Sequence, residues 1–371
     1  LYAKGRGPFL TRDASARFDV PASHFEPALQ AAESEGDLVH GEIRPGGVTL
    51  DWCDANILIR LKRRTLAKLR NQVAPVEAQV VGQFLIQWQG VNSGRRGEEA
   101  LLEAVAQLQG LSLPWSVLGN GILDSRISDF SHEMLDRLAA AGSIVWVGNG
   151  ALGPRDGRIR LFLREAVPAL LELSQTETED PIGRAVEAAL AEQGASFYME
   201  LEAAVREKLP TVEKKELEAA VWDLVWAGKL TNDTFGPLKA LAQPRRTRGR
   251  FAQSKLSGGR WTLVAKLTVA PVNDTQRLLG LAHLLLERYG IVSRDAVAHE
   301  QIRGGFGPLY RTLKAMEDSG QIRRGYFVEG MGGAQFGHVG AIDRLRAAKT
   351  QLEDSHFESD AVILSAIDPA N

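Results

Sequence analysis

Arginine and lysine gather at three places in this chain. "RLKRRTLAKLR" carries Arg60, Lys62, Arg63, Arg64, Lys68 and Arg70, and "PRRTRGRFAQSKLSGGR" carries Arg245, Arg246, Arg248, Arg250, Lys255 and Arg260. Further on, Arg303, Arg311, Lys314, Arg323 and Arg324 cluster beside Tyr326 and Phe327. Cationic side chains neutralise phosphates and release counterions, and aromatic rings stack on bases, so the chemistry on offer is polyanion binding. The expected nucleic-acid contacts are Arg63, Arg64, Arg246, Arg248, Arg303, Arg311, Lys314, Arg323, Arg324 and Tyr326. The net charge is only -2 over 371 residues, which excludes a uniformly basic protein and leaves binding to local patches.

Other reactive residues are sparse. The seven histidines show no H-x-x-x-H spacing, and the single cysteine, Cys53, supports neither a disulfide framework nor a Cys-based zinc module. No metal and no cofactor are expected. "GMGG" and "GGFG" resemble phosphate cradles only superficially, since neither follows a strand and opens a helix with a lysine at the required place, and no G-x-x-x-x-G-K-[ST] occurs, so the chain should not hydrolyse ATP. Trp88, Trp115 and Trp146 sit among apolar neighbours and read as core.

The elements that must carry these groups repeat. "LQAAESEGDLVHGEIRPGG", "LDRLAAAGSIVWVGNGALG", "VWDLVWAGKLTNDTF" and "LKAMEDSGQIRRGYFVEGMGG" each read as a helix end, a glycine stop, a strand and a turn. Around the first, "FLTRDASARFDVPASHFEPALQAAESEGDLVHGEIRPGGVTLDW" predicts helix, turn, helix and a two-stranded wing, with Ser23 and Glu26 as a capping box. Thr11 and Ser293 mark equivalent helix starts. The fold class is therefore mainly α with small β-hairpins (α+β), a tandem array of winged helices.

The expected domains are winged helix 1 with a trailing basic helix over 1–73, winged helix 2 over 74–175, winged helix 3 over 176–243 and a basic linker over 244–265. Winged helix 4 follows over 266–340, and 341–371 reads as the start of a truncated β-rich domain. "AVILSAIDPAN" reads as its strand. In "RLKRRTLAKLR" the leucines recur on one helix face, which is expected to pack on winged helix 2. Acids such as Glu26, Glu33 and Glu35, or Glu213, Glu216 and Glu218, make the late helices of copies one and three poor phosphate binders and better scaffolds.

Hydrophobic content of 44%, charged content of 24% and aromatic content of 7% fit a soluble chain, and no apolar run approaches the roughly 18 residues of a membrane span. One cysteine fits a reducing, cytoplasmic setting. The opening "LYAKGRGPFL" has no initiator Met, so the chain is expected to be a piece of something longer.

"LDWCDANILIRLKRRTLAKLRNQVAPV", "FLIQWQGV", "QLQGLSLP", "VWDLVWAGKLTNDT", "GGRWTLV", "RRGYFVEGMGGAQF" and "DPAN" together resemble the region after the ATPase core in the bacterial large helicase-related (Lhr) family. The resemblance covers almost the whole chain. It implies a DNA-binding module of a superfamily 2 helicase acting in DNA repair, lacking its motor. It implies as partners DNA, including single strands, the motor domains of the parent chain, and a second copy in a homo-oligomer. The implied setting is the bacterial nucleoid.

More loosely, the family resembles tandem winged-helix DNA glycosylases, which carry a Gln, an apolar residue, then Gln or Asp. Gln87-Trp88-Gln89 and Gln107-Leu108-Gln109 both match, and the second precedes its winged-helix elements in the expected order. Hydrolysis of an N-glycosidic bond needs a positioned water beside an extruded nucleotide. Gln107 and Gln109 would hold that water, and deprotonation would fall to a carboxylate such as Asp124, Asp129 or Asp368, of which Asp368 is the expected one. "EEALLEAVAQLQG" reads as helix to Gly110, which places the pair at a helix end.

Overall fold

The computed structural model describes residues 2–44, 49–243, 254–268, 272–354 and 361–371, with the backbone alone over 66–73. Arg246 and Arg248 lie outside the described residues. The chain forms two units, Leu1–Ala74 and Pro75–Asn371.

In the first unit, helices Thr11–Phe18 and Ala22–Ser34 precede antiparallel strands Leu38–Gly41 and Asp51–Asp54, with Leu38 opposite Asp54. Phe9 adds a single bridge to Trp52, and Phe9, Ala14, Leu29, Leu38 and Trp52 form the core. Ser23, expected as a cap, is already inside its helix. Pro21 takes the cap position at φ -55° and ψ 141°, and its ring has no polar atom to bond the first turn. Thr11 also lies inside its helix, and its hydroxyl instead accepts from the Trp52 indole at 3.0 Å. The basic stretch is helical, Ala55–Val73, and exposes Arg63 and Arg64. Leu61 is 38% exposed.

The second unit repeats one topology three times. Each antiparallel sheet orders its strands first, third, second: Leu113–Pro114, Gly157–Leu163, Ile144–Ala151; then Ser196–Phe197, Arg260–Leu263, Leu230–Asn232; then Ile291–Val292, Gln335–Gly337, Arg323–Gly325. The Phe9 bridge gives the first unit the same order in reduced form. In the middle sheet the returning strand lies beyond residue 253, so the boundary drawn over 244–265 takes in strand Arg260–Leu263.

The glycine stops explain why the chain repeats. Gly36, Gly142, Gly228 and Gly320 have φ of 81°, 75°, 72° and 78°, a left-handed conformation that disfavours side chains. At each, the glycine N–H donates to the carbonyl three residues back and the next N–H to that five residues back, as in Gly142 to Ala139 and Ser143 to Leu138. This closes the helix and turns the chain into the wing.

Copies two and three share a core containing Trp115, Trp146, Phe235 and Trp261. Late helix Lys214–Trp226 packs on strand Ile144–Ala151 so closely that a Cβ on Gly148 would stand 2.0 Å from the Val225 carbonyl oxygen. That helix serves as protein scaffold. Helix Ala78–Trp88 packs on helix Val339–Asp354 through Val80, Phe84, Ile342 and Leu345, and helix Gly97–Leu108 packs on helix Asp274–Tyr289. Residues 361–371, read from sequence as a strand, contain none.

Candidate active site

Several helix ends converge between copies two and four. Gln89 caps helix Ala78–Trp88, Gln109 caps helix Gly97–Leu108, and Arg288 stands in the last turn of helix Asp274–Tyr289. Carbonyls at helix C-termini lack intrahelical partners, and cations satisfy them well. Arg288, 1% exposed, donates from Nε to the Gln107 carbonyl at 2.8 Å and from Nη2 to the Gln109 carbonyl, while Nη1 pairs with Glu300. The Tyr289 hydroxyl donates to the same Glu300 at 2.6 Å. Burial first, and then Glu300, push this phenol well above its ordinary range, so it stays a donor.

The network continues. The Gln89 amide donates to the Arg288 carbonyl at 2.9 Å, and its oxygen accepts from Arg126 Nη2 at 2.6 Å. Arg126, also 1% exposed, forms a two-pronged pair with Asp368 at 2.9 and 2.7 Å and donates to the Ile122 carbonyl at 2.9 Å. The Ala370 N–H donates to the same carboxylate at 2.8 Å, which folds the chain end onto the network. A fully buried ion pair of this kind is tolerated only with such geometry and added hydrogen bonds.

A cavity of about 550 Å³ lies beside this network. Its wall is mostly apolar, including Phe84, Leu113, Ile291 and Val328, and its polar lining includes Ser293, Asp295, His299, Asp368 and Asn371. Asp295 and His299 are exposed, whereas the Asp368 side chain has no accessible surface. Asp295 accepts from the Gly332 N–H at 3.3 Å. A largely preformed apolar cavity with a few convergent polar groups fits a flat, partly polar ligand.

The structure distributes the expected residues as follows. Gln107 and Gln109 stand at the helix end and point apart. The Gln107 amide donates to the Trp88 and Glu287 carbonyls, both at 3.3 Å, with its oxygen buried and unpartnered, and the Gln109 oxygen accepts from the Leu163 N–H at 3.3 Å. Neither lines the cavity, and Asp368 does. Asp124 and Asp129 lie outside it, and Asp129 accepts from the Gly97 N–H at 3.0 Å. Arg303, Arg311, Lys314 and Arg323 are exposed and form no ion pair among the described residues, while Arg324 pairs with Glu317 at 3.2 Å and donates to the Tyr310 hydroxyl at 3.1 Å. Tyr326 is 49% exposed. Arg126, Arg288, Asp295 and His299 were missed. Their signal was faint: a lone arginine amid "GILDSRISDF" or "LLLERYG", in an apolar setting where a charge needs a buried partner.

Among the described residues no group of three or more His, Cys, Asp or Glu is placed to hold a metal ion, and no helix is long and apolar enough to cross a membrane. Residues 76–164 and 271–357 match models described as "Large helicase-related protein, winged-helix domain". The chain is 36% identical over 397 residues to "Lhr helicase/ probable uracil glycosylase" of Mycolicibacterium smegmatis, covering 100% of this chain and 26% of that protein. It is 37% identical over 361 residues to "Lhr helicase/uracil glycosylase" of Escherichia coli, covering 86% of this chain and 23% of that one. The chain thus spans about a quarter of the length of these relatives. The Streptomyces sahachiroi DNA glycosylase AlkZ has a TM-score of 0.44 at 14% identity, covering 74% of this chain and 73% of that one. With two winged-helix domains matched and 86 to 100% of its length aligned to such relatives, the chain belongs to the large helicase-related family, as part of its winged-helix region.

Proposed function

We propose that this chain is the DNA-binding module of a larger helicase-related repair protein, and that it removes a base from a nucleotide extruded into the cavity between copies two and four. The observation that carries the reading is the cavity itself: a largely apolar space of about 550 Å³, roomy enough for an extruded nucleotide, with an exposed carboxylate, Asp295, on its wall and a buried charged pair, Arg126 and Asp368, behind it. Two relatives, one named "Lhr helicase/uracil glycosylase" and the other "Lhr helicase/ probable uracil glycosylase", support uracil as the base.

In this reaction the C1′–N bond breaks, its electron pair leaves with the base, and a water oxygen adds to the cationic C1′. Asp295 accepts the water's proton. The Asp368 carboxylate, inaccessible and held by both prongs of Arg126, does not touch the sugar; its pair with Arg126 fixes the cavity wall behind it. Gln107 and Gln109 act through their backbone carbonyls, which hold Arg288 and, through Gln89, the Arg126–Asp368 pair.

The test incubates the chain with single-stranded DNA bearing one uracil and measures abasic sites after alkaline cleavage. Asp295→Asn should slow release roughly 10²-fold or more, as expected for losing a general base, with DNA affinity unchanged within a few-fold. If the unaltered chain leaves uracil DNA intact while binding it, the module is a DNA-binding scaffold alone.

A further inference from the structure

A second, smaller pocket of about 170 Å³ opens on the other side of the same helix end, lined by Arg288 where the larger cavity is lined by Tyr289. Four arginines face it: Arg160, Arg277, Arg288 and Arg303. Arg277 pairs with Glu172 and Arg288 with Glu300, the two carboxylates of the lining. Arg160 and Arg303 form no ion pair among the described residues, so the pocket keeps an excess of two positive charges.

Arg160 is the unusual member. It stands on the central strand Gly157–Leu163, half-buried, with its guanidinium carbon 5.9 Å from the Phe162 ring centre. Its Nε is buried and has no hydrogen-bond partner among the described residues, a condition that folded proteins rarely leave standing. Burial also pulls its pKa below the ordinary arginine value. Gln109 lines the same pocket, and among the described residues only the oxygen of its side-chain amide is engaged, which leaves the NH₂ as a further donor.

We propose that this pocket is a phosphate subsite that takes one backbone phosphodiester of a nucleic-acid strand, with Arg160 and Arg303 supplying the charge and Gln109 a neutral donor. The volume suits one phosphate group with a few waters, each water occupying roughly 30 Å³. A planar guanidinium fork matches phosphate oxygens better than an ammonium does. The subsite rests on the nucleic-acid-binding reading above but not on base release.

The experiment measures affinity for single-stranded DNA against salt by fluorescence anisotropy. Removing one arginine–phosphate pairing should flatten the slope of log affinity against log salt by about 0.7 for a single strand. Arg160→Gln should show that change and a several-fold loss of affinity at low salt, for DNA of any sequence. Arg303→Gln, at an exposed position, should flatten the slope by a similar increment and carries the test if Arg160→Gln does not fold. A folded Arg160→Gln protein with the unaltered slope overturns the proposal. So does inorganic phosphate raising the melting temperature of the unaltered chain but not of Arg160→Gln while the two DNA slopes coincide, because the pocket then takes a free anion. Absence of DNA binding by the unaltered chain would instead sink the broader reading.

Discussion

At Arg126 the protein buries a full positive charge and answers it with Asp368, Gln89 and one carbonyl. The value of that pair lies in mutual satisfaction, since either partner alone would be an uncompensated buried charge. Asp368→Ala should therefore cost about 3 to 5 kcal/mol in chemical denaturation. A loss below about 1 kcal/mol would mean that water reaches Arg126 and the chain end is not docked. His132 offers a pH readout. Burial among Trp115 and Phe130, followed by Lys239, lowers its pKa, so below about pH 6.5 the unfolded chain binds more protons than the folded one. Stability should fall as pH drops through that window, and His132→Gln should remove this part of the dependence when melts are compared between pH 5 and pH 8.

At the scale of elements, the same helix-and-wing unit does different work in different copies. In copy three the late helix is covered by the hairpin of copy two, and the Gly148 contact sets their closeness. Gly148→Val would drive its side chain into the Val225 carbonyl and should destabilise the protein by about 2 to 3 kcal/mol or more. An unchanged denaturation midpoint would show that the hairpin can slide. Copy four leaves its basic face open. Arg323 forms no ion pair among the described residues, whereas Arg324 is held by Glu317 and Tyr310. Arg323→Ala should flatten the salt slope of DNA binding by about 0.7 to 0.9, and Arg324→Ala should change it less. Equal effects would mean that Arg324 leaves Glu317 for phosphate.

For the whole molecule, Gln107, Arg126, Arg288, Asp295 and Asp368 all belong to Pro75–Asn371, which forms one compact unit. A chain comprising 75–371 should fold with a cooperative melt and keep the base-release activity proposed above. Loss of activity with folding intact would place an essential contact in Leu1–Ala74.

The repeat was legible from sequence because its signals are local. A glycine that must adopt positive φ closes each late helix, and alternating residues after it make the wing, so Gly36, Gly142, Gly228 and Gly320 announced four copies. What only the tertiary structure decided depends on distant pairing. Strand Arg260–Leu263 closes a sheet begun at Ser196, Arg126 finds its acid 242 residues away, and the Gln107 amide meets the Glu287 carbonyl 180 residues away. No periodicity encodes such partners, since burying a charge or a strand edge becomes favourable only once the other elements have assembled around it.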